Sequence, residues 1–142
     1  MKLLAVDLGL ARTGVAVCDR EERLASPVGT IEERNPERLA EKLAAVAREQ
    51  GAARIVLGHP KNMDGSRGES ARRAEAFAVL LEETAELPVV LWDERMTTMS
   101  AIGYLNETNT RGKKRKQVVD TVSAVIILQD YIDSRRLRGE SD

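Results

Sequence analysis

Two short apolar runs separated by one amphipathic stretch constrain this chain more than any other feature. Arg54 to Gly58 (RIVLG) and Pro88 to Trp92 (PVVLW) are continuously hydrophobic, the pattern of strands buried on both faces. Between them, Ser66 and Glu69 have capping-box spacing, and Ala74, Phe77, Leu80 and Leu81 recur at helical intervals. A strand, a helix and a strand in that order imply parallel pairing through a right-handed crossover. The polar stretch from His59 to Gly65 (HPKNMDG) reads as the loop that leads into the helix.

The remaining segments extend this unit on both sides. Leu3 to Val6 reads as a strand that ends in Asp7, followed by a turn spaced by Gly9, Arg12 and Gly14 and a second strand over Gly14 to Cys18. Leu24 to Ile31 is a third β-rich piece, an antiparallel partner for the second. Asn35 caps a helix whose first position is Pro36, whose apolar stripe is Leu39, Leu43, Val46 and Ala47, and which Gly51 stops. Beyond Trp92, Thr97 or Thr98 can cap a short helix to about Asn106, and a basic loop spans about 107–116. Gln117 to Arg135 is rich in β-branched residues. Its nineteen residues carry no breaker, however, and Val118, Val122, Val125 and Ile126 recur at helical spacing, so it reads as a helix. The expectation is one α/β domain over 1–142, with a flexible tail at about 136–142. Its five-stranded mixed sheet is a three-strand antiparallel meander plus two parallel strands, flanked by helices.

Composition narrows the function. Hydrophobic residues at 42% and charged residues at 32% suit a globular chain, and the early Asp7 interrupts the apolar start before it can serve as a leader. No run reaches membrane-spanning length. One cysteine, Cys18, excludes an internal disulfide and a cysteine-rich zinc site, and points to a reduced, cytoplasmic setting. Aromatic residues at 3% argue against an extended base-stacking platform. Net charge is −1, yet Arg111 to Lys116 (RGKKRK) holds five cations in six residues. Such a segment suits either a grip on phosphates or a solvated loop, and the sequence leaves both open.

Three acidic positions adjoin apolar stretches, where a carboxylate is costly without a partner. Asp7 follows LLAV, Asp93 and Glu94 follow VVLW, and Asp120 shares a helical face with Ser123, Ala124, Ile127 and Tyr131. If the strands of Asp7 and Glu94 are parallel, their carboxyl ends lie at one sheet edge, where open α/β sheets bind ligands. Successive strand residues face opposite sides, so one of Asp93 and Glu94 reaches such a cluster, and Glu94 is favoured with Asp93 as the alternative. Oxygen-only ligands suit Mg²⁺ or Mn²⁺, and a pair of ions is the arrangement that serves phosphodiester hydrolysis. Each acid taken alone fits a turn or cap equally well. His59 reads as a structural loop residue or a substrate contact, and Asn62 to Ser66 as a phosphate-binding loop or plain turn chemistry. Cys18 reads as a small core residue.

Four motifs together resemble a known family. DLGLARTGVAV (Asp7 to Val17), GHPKNMDGS (Gly58 to Ser66), WDERMTT (Trp92 to Thr98) and KKRKQVVDTVSAVIILQDYID (Lys113 to Asp133) are similar, in order and spacing, to the bacterial YqgF/RuvX family. That family is Holliday-junction-resolvase-like and is also described as a nuclease of the ribosomal RNA precursor. The resemblance implies an RNase H-like fold and a divalent-metal nuclease with Asp7, Glu94 (or Asp93) and Asp120 as catalytic metal ligands. It further implies cytoplasmic processing of the 5′ end of pre-16S rRNA during ribosome biogenesis. Two departures stand out: His59 where the family has leucine, and Ser100 where it has glutamate. The expected substrate is structured RNA, with Arg12, Asn62, Arg95, Lys113, Lys114, Arg115 and Lys116 on its phosphates. Precursor ribosomal particles are a further expected partner, and the chain is expected as a monomer or homodimer. Branched DNA is the alternative substrate, which would suit a dimer. A non-catalytic RNA-binding module is a third reading. An actin-like nucleotide-binding protein ranks last, because that clamp needs two domains.

Overall fold

In a computed structural model, the structure describes residues 1–60, 64–93 and 112–137, with side chains in the last group from Thr121 onward. Five strands form one sheet: β1 (Leu3–Asp7), β2 (Arg12–Cys18), β3 (Ala25–Glu32), β4 (Arg54–His59) and β5 (Val89–Asp93), in the order β3-β2-β1-β4-β5. β1, β2 and β3 pair antiparallel, whereas β4 pairs parallel to β1 and β5 parallel to β4. Among the described residues, three helices cover the sheet: α1 (Pro36–Gln50), α2 (Glu69–Ala85) and α3 (Gly112–Leu137). The expected five-stranded mixed sheet, an antiparallel meander plus two parallel strands, is therefore observed.

Alternation along the strands divides the interior into two cores. Leu4, Val6, Val15, Ile55 and Leu57 face α1 and α2, where they meet Leu39, Leu43, Phe77 and Leu81. Leu3, Ala5, Ala16, Cys18 and Val56 face α3, where they meet Ala124, Ile127, Leu128, Tyr131 and Ile132. Cys18 is a buried residue of this second core, as its strand position suggests. β1 is fully buried from Leu3 to Val6 because it lies at the centre of the sheet with both faces covered.

The α1 boundaries follow directly from local chemistry. The Asn35 side chain accepts from the Arg38 amide at 2.9 Å, and Gly51 closes the helix at φ 71°, a left-handed conformation that suits glycine. The start of α2 differs from expectation. Gly68 is its N-cap and supplies no side-chain bond, while Ser66 is used earlier. Its amide and hydroxyl both donate to Asp64 Oδ1, at 2.9 and 2.6 Å, in a local turn that removes Ser66 from the capping box. α3 also begins earlier than expected. Residues 112–116 are helical, so Lys113 to Lys116 belong to its first turns rather than to a loop, in keeping with the helix propensity of Lys and Arg. Arg136 and Leu137 likewise continue the helix instead of starting the tail. The short helix expected near Thr97 to Asn106 lies outside the described residues. No described helix is long and apolar enough to cross a membrane.

Candidate active site

Asp7 ends the central strand at the edge where β1, β4 and β5 present their carboxyl termini. Alternation assigns its side chain to the α3 face, since Leu3 and Ala5 lie there while Val6 and Leu8 pack toward α1 and α2. In the antiparallel register Asp7 stands opposite Gly14. In the parallel register Val6 pairs with Leu57, and one step further brings Gly58 alongside Asp7. Both neighbouring strands thus place a glycine next to this carboxylate on the same face. Neither has a Cβ there, so no side chain of β2 or β4 stands directly beside Asp7 on this face. The sequence contains this signal as two strand glycines, but only the register shows that they flank one acid.

The same row continues outward on both sides. Thr30 pairs with Gly14, and its hydroxyl lies 3.0 Å from the Thr121 hydroxyl on α3. Gly58 pairs with Trp92, whose ring meets Tyr131 edge-on at 5.5 Å. The Thr30–Thr121 bond fixes the amino-terminal half of α3 over this row. Position 120 immediately precedes Thr121 in α3, one helical turn before Ala124. The opposite half of α3 runs to the other sheet edge. There the Ala25 amide donates to Gln129 Oε1 at 3.0 Å, and Arg54 Nη1 donates to Tyr131 Oη at 3.0 Å.

Asp93 lies elsewhere. It is the last residue of β5, one position after Trp92, so it faces the α1/α2 side, in register with His59. His59 itself is not a loop residue. It ends β4, is 8% exposed, and its Nε2 lies 2.7 Å from Glu75 Oε2 on α2. The other oxygen of Glu75 accepts from Arg67 Nη1 at 3.3 Å, so one carboxylate holds both ends of the His59 to Arg67 connection. This role was invisible in the sequence, because Glu75 is sixteen residues away and only the β4–α2 packing brings it back.

Arg12 opens β2 opposite Glu32, beside a shallow surface hollow formed with Ala11, Glu33 and Arg34. The turn before it is tight. A Cβ on Gly9 would sit 2.0 Å from the Arg12 carbonyl oxygen, so only glycine fits there. Asn62, Glu94, Arg95 and the side chains of Lys113, Lys114, Arg115, Lys116 and Asp120 lie outside what is described.

A hard divalent cation requires oxygen donors and room for water. Asp7 is an oxygen donor of the required kind at this edge, and the strand positions on either side of it are glycines. No three His, Cys, Asp or Glu side chains converge among the described residues. Both other acids of the expected set fall outside them.

A five-stranded mixed sheet in this order, with an acid at the end of its central strand, is an RNase H-like domain. It shares this fold with RuvC of T. thermophilus, solved with a Holliday junction substrate. That structure superposes with a TM-score of 0.61 over 96% of each chain at 11% identity, a likeness of fold. The family model described as RuvX, Holliday junction resolvase, matches residues 1–134, and the chain belongs to this family. Its relatives include a protein of Geobacillus thermodenitrificans that is 44% identical over 138 residues, covering 96% of this chain and all of that one. One from Shouchella clausii is 43% identical over 135 residues, covering 94% and 95% of the two chains. Both carry the provisional name pre-16S rRNA nuclease.

Proposed function

We propose that this chain is a divalent-metal-dependent endonuclease that hydrolyses phosphodiester bonds in structured RNA, processing the 5′ end of pre-16S rRNA. The observation that carries the reading is Asp7, set between Gly14 and Gly58 at the carboxyl edge of the sheet. The names of the relatives support the nuclease class and the RNA substrate.

In this reading Asp7, Glu94 and Asp120 hold Mg²⁺ or Mn²⁺, as two ions. Alternation supports Glu94 over Asp93, because Asp93 faces away from Asp7. The bound ions supply a nucleophilic water at neutral pH and offset charge on the departing oxygen. The chain's own residues orient the substrate. Arg12, Asn62, Arg95 and the Lys113 to Lys116 run hold backbone phosphates, and binding weakens as salt rises. Precursor ribosomal particles in the cytoplasm are the setting for this reaction.

Branched DNA is the second reading, favoured by the family description and by the fold shared with RuvC. A cleavage assay separates the two, with precursor rRNA and a four-way DNA junction offered side by side in Mn²⁺, Mg²⁺ or EDTA. The first reading expects metal-dependent cleavage of the RNA. Cleavage of the junction alone would replace it with the second. Binding of RNA without cleavage, under every metal condition, would leave a non-catalytic assembly module.

A further inference from the structure

The end of β4 nearest the acid is held differently from the rest of the strand. Its ladder with β1 closes at Val6 and Leu57, and the next two residues, Gly58 and His59, are paired with Trp92 and Asp93 of β5. Among the described strands, β5 is the outermost on that side. The stretch that runs alongside Asp7 is therefore fixed on one flank by the outer strand of the sheet. His59 supplies a second attachment with its side chain. Ile55 and Leu57 point the same way into the first core, so the imidazole is a polar ring at the margin of an apolar face. Such a group is costly there without a hydrogen bond. Its Nε2 lies 2.7 Å from Glu75 Oε2 on α2.

An apolar side chain of similar size would fill this place without a partner. What the histidine adds is direction, because a hydrogen bond fixes both a distance and an angle where aliphatic contact fixes neither. An ionised carboxylate only accepts, so the ring donates from Nε2–H, which the Nε2 tautomer and the imidazolium both carry. Glu75 is itself steadied. Its Oε1 accepts from Arg67 Nη1 at 3.3 Å, and Arg67 directly precedes Gly68, the N-cap of α2. One carboxylate thus joins the end of β4 to the start of the helix that carries it. We propose that Glu75 is a positioning residue for cleavage: through His59 it holds Gly58, and with it the backbone beside Asp7, at a fixed place relative to the acid. The tie lies at the sheet edge where the two faces meet, not within the apolar core. The inference rests on the nuclease reading and adds to it a residue that touches neither metal nor phosphate.

The test compares Glu75→Ala, Glu75→Gln, His59→Leu and the double variant His59→Leu/Glu75→Ala in the full chain. Amide NMR comes first and needs no substrate. Glu75→Ala should move the Asp7, Gly58 and His59 amide signals and quicken exchange at the end of β4 roughly fivefold to tenfold, the loss of about one hydrogen bond. The Ala25 and Gln129 signals, at the other sheet edge, should stay in place. His59 is the one histidine of the chain, so its ring nitrogens report the bond directly. They should show Nε2–H in wild type and a mixture of tautomers in Glu75→Ala. In cleavage, Glu75→Ala should lower kcat roughly tenfold with KM unchanged, the low end for an outer-shell partner. Glu75→Gln keeps an oxygen for the Nε2–H and should keep most of the rate. The double variant should lose no more than His59→Leu alone, because both changes remove one tie. Unmoved Asp7 and Gly58 signals in folded Glu75→Ala, an unchanged kcat, or losses that add in the double variant would each overturn the proposal. A wild type that cleaves no nucleic acid removes the nuclease reading instead, and the amide signals alone then decide whether Glu75 sets the edge at Asp7.

Discussion

Among the described residues, the α1/α2 face of the sheet is closed by the apolar side chains of two helices, whereas the α3 face is covered by one helix with polar ties to the strands. On the first face, Leu39, Leu43, Phe77 and Leu81 meet Leu4, Val6, Ile55 and Leu57, and the polar tie from β4 to α2, His59 to Glu75, lies at the strand's end. On the second, Thr121 reaches Thr30, Gln129 reaches Ala25, Tyr131 reaches Arg54, and Arg135 lies 3.5 Å from Glu22. Two helices packed side by side fix each other by area alone. A lone helix can slide along a sheet, and directed bonds at both ends set its register. In the proposed nuclease that precision would serve the face where Asp7 lies, because a displacement of about 1 Å at a catalytic group can cost 10²-fold in rate. The proposed function thus puts its chemistry on the α3 face, opposite the α1/α2 core.

Substitutions in each face should therefore separate stability from rate. Leu43→Ala removes a fully buried side chain from the first face and should cost about 2–5 kcal/mol in urea unfolding. Its activity per folded molecule should stay at the wild-type value; a large loss of rate in the folded fraction would break the division. Gly9→Ala acts where the faces meet. The 2.0 Å approach to the Arg12 carbonyl forces the turn to open, for about 1–3 kcal/mol and a loss of cleavage as Asp7 shifts. Thr121→Val should cost only about 1 kcal/mol, the worth of one hydrogen bond. It should nonetheless reduce cleavage by up to roughly 10²-fold, because it releases the register of position 120.

The smallest effect is electrostatic and belongs to the first face. The Lys42 ammonium, and after it the Asn35 amide, hold the Glu33 carboxyl below the ordinary glutamate range. An acid whose folded pKa is lowered adds stability above its unfolded pKa, and that stability is lost as pH falls through the folded value. Lys42→Met should thus flatten the acid limb of the stability–pH curve below the ordinary glutamate pKa, while the cleavage rate at neutral pH stays unchanged.

The sheet was legible because its signals are local. Continuous apolar runs such as RIVLG, the Asn35-Pro36 start of α1 and the Gly51 stop each act within a few residues. What the sequence concealed depends on register. Gly14 and Gly58 are forty-four positions apart, and nothing local shows that both adjoin Asp7. His59 looked like a loop residue because it precedes a proline, yet Glu75 pulls it into the end of β4. Ser66 and Glu69 fit the capping pattern, but Asp64 lies closer and captures the serine. The start of α3 was misplaced because a basic run reads as solvated loop, although Lys and Arg are good helix formers. Asp7 stands out in the sequence by following an apolar run, and it ends the central strand β1. The rest of the expected set, Glu94 and Asp120, remains an inference from alternation and helical phase.

Asp7→Asn and Asp93→Asn, compared in one metal-dependent cleavage assay, test the two-face account most directly. Both variants keep the size of the side chain and remove its charge, and circular dichroism checks that each is folded. The account predicts that Asp7→Asn loses more than the ~10–100-fold expected for an outer-shell partner, and that Asp93→Asn retains most of the wild-type rate. Full activity in folded Asp7→Asn, with loss in Asp93→Asn, would place the chemistry on the α1/α2 face and contradict it.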